Sequence, residues 1–183
     1  KEAMLESVKL LRSSSFDEIS KVINDALKLG SDNNFGYDYV KDFEKRFLTK
    51  TRNPVSTGWD RMDEICQDGL GKGELGVVIA PTGAGKSMVL VHLGAQAVKA
   101  GLTVVHYTLE LAEEVIAGRY DSCMFGVPLS DLKMMKEMIY ESVQEVEGSL
   151  IIKEYPTKSA STKTIATHLE KLAKRDISPD LII

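Results

Sequence analysis

The stretch that most constrains this chain is "APTGAGKS", residues 80–87, which directly follows the apolar run "ELGVVI". It fits the pattern of Ala or Gly, any four residues, then Gly-Lys and a hydroxyl residue. Glycine weakens a strand and costs about 1 kcal/mol inside a helix, so two glycines within three positions serve the backbone. Gly83 and Gly85 suit positive φ and keep Cβ atoms out of the way. Ala80, Pro81, Thr82, Gly83, Ala84, Gly85, Lys86 and Ser87 then form a loop whose backbone N–H groups, all but the proline's, curl into a nest for phosphate oxygens. A helix starting near Lys86 adds its positive end. In this reading Lys86 reaches the β and γ phosphates and the Ser87 hydroxyl ligates Mg²⁺. These residues are therefore the candidate ATP and Mg²⁺ site.

The surrounding pattern supplies the context that such a loop needs, a strand before it and a helix after it. "ELGVVI" reads as a buried parallel strand and "SMVLVHLGAQAVKAG" as a helix. "LTVVHYTLE", "SLIIKEYP" and "DLII" read as further strands. "AEEVIAGRYDSCMFG", "SDLKMMKEMIYESVQEVEG" and "TKTIATHLEKLAKRD" read as the helices between and around them. Such alternation predicts an α/β fold with a parallel sheet covered on both faces. The first fifty residues read as helical instead. Ser15 and Glu18 form a capping-box pattern, and Phe16, Ile19, Ile23, Ala26 and Leu27 share one helical face up to Gly30. Tyr37, Val40, Phe43, Phe47 and Leu48 repeat at three or four residues, and "TKTRNPVSTG" reads as a linker. The domain expectation is a helical segment over 1–50 and a nucleotide-binding domain over 51–183.

Glu110 ends the strand "TVVHYTLE". Ligands of open α/β sheets sit beyond the carboxyl ends of strands, so Glu110 is a candidate for orienting a water toward a γ-phosphate. The plainer alternative is a glutamate that faces the helix dipole at "LAEEV".

A resemblance carries the reading further. "VSTGWDRMDEICQDGL", the "APTGAGKS" loop and "YTLELAEEV" with Arg119 together look like the start of a RecA-like motor domain. The chain most resembles hexameric replicative helicases of the DnaB type, especially phage forms. Met62 stands where that family usually has Leu. The family's catalytic glutamate falls on Glu110, and its arginine on the following helix falls on Arg119, a candidate for the nucleotide site. "SPDLII" resembles the strand leading to the family's Walker B aspartate, so the chain reads as a fragment truncated at that strand. The resemblance covers residues 53–183. It implies ATP hydrolysis coupled to translocation on single-stranded DNA, contacts with DNA mainly beyond residue 183, a homo-hexamer, and primase as a possible partner. Two rivals stay open: a recombinase or clock-type regulatory ATPase, and a nucleotide-binding module without turnover.

Composition excludes other classes. The net charge of −4 argues against coating nucleic acid by bulk charge. No apolar run approaches the roughly 18 residues of a membrane span, and no signal-peptide pattern opens the chain. Cys66 and Cys123 lack metal or redox spacing and fit two reduced core thiols in a reducing compartment, and the resemblance implies the cytoplasm of a bacterium or phage-infected host. His92, His106 and His168 read as structural, the methionines of "KMMKEM" as core filling, and the lysines of "KEYPTKSASTKT" as solvated surface.

Overall fold

The computed structural model describes residues 36–48 and 52–183. The expected helix from Ser15 to Gly30 lies outside the described residues. Contacts divide the chain into Lys1–Lys50 and Thr51–Ile183, and each unit is taken by itself.

In the first unit, residues 37–48 form turns and a 3₁₀ helix, Phe43–Phe47, rather than a continuous amphipathic α-helix. Asp38 explains the break. Its carboxylate accepts the N–H groups of Val40 (3.1 Å) and Lys41 (2.9 Å), a side-chain substitute for helical backbone pairing. The Arg46 guanidinium lies over the Tyr39 and Phe43 rings, 4.2 and 4.6 Å from their centroids. The apolar residues of this stretch are exposed.

The second unit is built on a parallel sheet of three strands: β1 (Thr103–Thr108), β2 (Ser149–Glu154) and β3 (Leu181–Ile182), in the order β2-β1-β3. The register sets Thr103 opposite Ser149 and Val104 opposite Leu181. Its helices are α1 (Asp60–Ile65), α2 (Lys86–Lys99), α3 (Glu113–Phe125), α4 (Lys136–Gln144) and α5 (Thr162–Ala173). Alternation along β1 sorts them between faces. Buried His106 meets Tyr120 of α3, whereas its neighbour Tyr107 meets His168 of α5. The sheet is thus covered on both faces, as the strand–helix alternation predicts.

The core lies on the α2/α3 face. Val91, Ala95, Ile116 and Tyr120 form one buried cluster, and Ala97, Val98 and Val104 a second. Gly94 permits the close approach of α2 and α3, because a Cβ there would sit 2.1 Å from the Tyr120 hydroxyl. Gly126, at φ 69°, ends α3 in the left-handed conformation expected of a helix stop.

Four sequence readings are corrected. "ELGVVI", residues 74–79, is not a strand: it has no ladder partner among the described residues, and Leu75 and Ile79 are 87% and 88% exposed. It borders a largely apolar groove of about 890 Å³ whose other wall includes Leu181 and Ile183. Residues 52–58 are not a free linker. Arg52 binds Glu74 at 2.7 Å and the carbonyl of Gly69 at 2.7 Å, and Val55 bridges to Leu70. The helix expected over 130–148 begins only at Lys136, after turns, which leaves Met134 86% exposed rather than in the core. Cys66 and Cys123 are free but half-buried.

Candidate nucleotide site

The loop between Ala80 and α2 has the backbone that its glycines imply. Gly83 and Gly85 take φ of 80° and 95°. No atom lies within 4 Å of where a Cβ would stand at either glycine. Ala84 N–H closes a turn onto the Pro81 carbonyl at 3.2 Å, and the Gly85 carbonyl accepts from Met88 and Val89. The N–H groups of Thr82, Gly83, Gly85, Lys86 and Ser87 make no hydrogen bond among the described residues. Five unsatisfied donors at one helix start need an acceptor-rich ligand or water, and α2 has no side-chain cap to supply one. Lys86 Nζ donates to the loop's own carbonyls at Ala80 (3.1 Å) and Pro81 (3.4 Å), which holds the ammonium against the loop. The half-buried Ser87 stands next to it.

Packing brings Glu110 to the same end of the sheet. Val91, early in α2, clusters with Leu111 and Ile116 just after Glu110, while Ala97 and Val98, late in α2, cluster with Leu102 and Val104 at the start of β1. Helix α2 therefore runs antiparallel to β1, and its N-terminus lies at the carboxyl end of β1. Glu110 is exposed and makes no hydrogen bond or ion pair among the described residues. It is not a helix-start residue, since α3 begins at Glu113. Glu113 takes that place. It accepts the Glu154 N–H at 2.8 Å and the Lys153 ammonium at 3.1 Å, which hold its carboxyl below the usual range, the backbone bond most of all.

Arg119 is half-buried in mid-α3, and no hydrogen bond or ion pair joins it to residues 80–87.

Sequence reasoning used the lead-in to the loop only for its resemblance and missed how it is held. Asp63 of α1 accepts the Thr57 N–H (2.8 Å) and the hydroxyls of Ser56 (2.5 Å) and Thr57 (2.7 Å). The Ser56 hydroxyl bond most of all lowers its carboxyl. Trp59 then stacks on His92 of α2, with ring centroids 4.1 Å apart. Each histidine meets an aromatic ring: His92 that of Trp59, His106 that of Tyr120, His168 that of Tyr107. No group of His, Cys, Asp and Glu among the described residues is arranged to hold a metal. Lys153, Lys163 and Lys171 line one concavity of about 560 Å³ beside α5. No helix among the described residues is long and apolar enough to cross a membrane.

No family model matches the chain. Over 176 residues the chain is 30% identical to a DnaB-like replicative helicase of Enterobacteria phage T4. That match takes in 90% of this chain but only 37% of the helicase's length. The likeness relates the chain to a helicase, and with the flanked parallel sheet it gives the chain an α/β fold of the RecA-like class.

Proposed function

We propose that this chain carries the ATP-binding and hydrolysing part of a DnaB-type replicative DNA helicase. The observation that carries the reading is the loop at the start of α2, with five unengaged N–H donors, Lys86 and Ser87, at the same end of the sheet as Glu110. Unengaged donors at a helix start are what a triphosphate requires, because each phosphate oxygen accepts charge-assisted bonds. The residues present therefore fit ATP with Mg²⁺, which supplies the phosphoanhydride to be cleaved and the cation that neutralises its charge. Thr82, Gly83, Gly85, Lys86 and Ser87 would hold the phosphates through backbone N–H groups. Lys86 leaves the carbonyls of Ala80 and Pro81 to place its charge on the phosphate tail. Ser87 offers its hydroxyl oxygen toward the cation. Glu110 would accept a hydrogen bond from the attacking water and orient it toward the terminal phosphate. Arg119 stays in this proposal only as a nucleotide contact formed on binding.

The whole protein's role extends the proposal: translocation on single-stranded DNA, assembly as a homo-hexamer, contact with primase, and work in the cytoplasm. Residues 1–50 would act as the segment preceding a motor domain over 51–183. The binding step is tested by calorimetric titration of the chain with Mg–ATP. Lys86→Ala should lower affinity by roughly ten- to a hundredfold, the worth of a hydrogen bond to a charged group. Equal affinity of the two proteins would refute the loop assignment.

A further inference from the structure

The Glu110 carboxylate makes no hydrogen bond or ion pair among the described residues, so the backbone that carries it is what fixes where its side chain starts. That backbone is pinned around it. The Thr108 hydroxyl donates to the Leu111 carbonyl at 2.8 Å and accepts the Leu111 N–H at 3.2 Å, closing residues 108–111 into a tight turn. The Thr108 carbonyl accepts the Tyr155 N–H at 2.9 Å, one step past the end of β2. The Leu109 carbonyl accepts the hydroxyl of Thr157 at 3.0 Å, across 48 residues of chain. This last bond acts on the peptide plane joining Leu109 to Glu110, because the Leu109 oxygen and the Glu110 N–H belong to one rigid unit.

Thr157 is itself held. It sits in a turn in which the Pro156 carbonyl accepts the N–H of Ser159 at 2.9 Å and its hydroxyl at 2.6 Å, with Lys158 at φ 66°. Tyr155, just before the turn, stacks on Tyr107 of β1 with centroids 5.9 Å apart. A rigid turn after β2 thus delivers one hydroxyl to the peptide that aims Glu110.

We infer that Thr157 is a positioning residue for Glu110, and that the turn after β2 sets the carboxylate's aim at the nucleotide. The inference rests on the proposed role of Glu110. Misplacing a group by about 1 Å can cost on the order of a hundredfold in rate. Removing one of several pins should cost less, roughly tenfold.

Thr157 is exposed, so substitutions there leave the core intact. Thr157→Val removes the hydroxyl and keeps the shape, whereas Thr157→Ser restores the hydroxyl. In hydrogen exchange, the Leu111 amide should exchange several times faster in Thr157→Val than in the parent or Thr157→Ser, with the Tyr107 amide unchanged. In ATP hydrolysis, Thr157→Val should lower kcat roughly tenfold with KM unchanged, and Thr157→Ser should recover it. In a Glu110→Gln background, Thr157→Val should have no further effect, the non-additivity expected of residues acting through one group. Unchanged Leu111 exchange, or parental kcat in Thr157→Val while Glu110→Gln loses turnover, overturns the inference and leaves Glu110's role standing. Parental turnover in Glu110→Gln, or no turnover in the parent, overturns the proposed role instead, and the exchange arm then decides whether Thr157 holds the loop.

Discussion

His106 should make this protein lose stability in mild acid. It is 4% exposed on the α3 face of β1, and its ring nitrogen lies 2.9 Å from the Tyr120 hydroxyl. Burial lowers its pKa from 6.5 to about 4, so the folded protein keeps the ring neutral long after the unfolded chain has protonated it. As pH falls below 6.5 the unfolded state binds the proton first, and stability drains away until about pH 4. At about 1.4 kcal/mol per pH unit, the whole interval is worth about 3 kcal/mol, of which about 2 kcal/mol is gone by pH 5. Urea titrations at pH 7.5, 6 and 5 read this directly. The matched variant is His106→Leu, which removes the titrating ring and leaves the Tyr120 hydroxyl without its partner. That variant should be less stable at pH 7.5 by about 1–3 kcal/mol. Its stability should then stay nearly level to pH 5, so the two curves converge. Glu74, held down to about 2 by Arg52, and the other pinned carboxylates titrate below this window. His168 is shifted down as well, first by burial and then by Lys153 and Lys171, but it is present in both proteins and cancels. Parallel pH profiles for parent and His106→Leu would refute the reasoning.

Gly94→Ala should destabilise the fold although alanine is the better helix former. The new Cβ would stand 2.1 Å from the Tyr120 hydroxyl and 3.0 Å from Ile183 Cδ1, an overpacking cost of about 1–3 kcal/mol against a propensity gain of at most about 1 kcal/mol. Denaturation of Gly94→Ala/Tyr120→Phe should show part of the loss recovered, and no recovery would mean that Tyr120 is not the obstacle. Glu110→Gln should bind Mg–ATP with parental affinity in calorimetry and lose most of its turnover, since an amide is too weak a base to hold and polarise the water. Turnover at the parental rate would leave Glu110 without a chemical role.

Local rules account for what was legible in the sequence. The glycines at 83 and 85 act through their own φ, and the stops at Gly101 and Gly126 act through theirs, so neither needs knowledge of distant residues. Helices α2, α3 and α5 and strands β1 and β2 follow from periodicity within single segments, and their alternation is enough to imply the covered sheet. What escaped depends on pairs. A strand exists only with a partner, so the apolar character of 74–79 showed that it can extend and not that anything lies alongside it. Residues 52–58 look like a linker in composition, yet Arg52 gathers acceptors from Gln67, Gly69 and Glu74, up to 22 positions away. The bond from Thr157 to Leu109 was invisible for the same reason. The sequence reads as strand through Thr108 to Glu110, whereas β1 ends at Thr108 and the Thr108 hydroxyl closes the turn to Leu111. At the candidate site, the resemblance drew in Arg119, which makes no hydrogen bond or ion pair with residues 80–87, whereas packing sets Glu110 and the start of α2 at one end of the sheet.

Trp59 gives the molecule a built-in optical label. It is the chain's single tryptophan, and its ring lies within 10° of parallel to His92. His92 sits on α2 five positions after Ser87, and its Nε2 lies 3.1 Å from the Thr57 carbonyl, at the seam between the lead-in and the loop helix. The emission of this one fluorophore therefore comes from a single, known place. Any event that shifts α2 against the lead-in alters the stack and is recorded without a dye or an introduced probe.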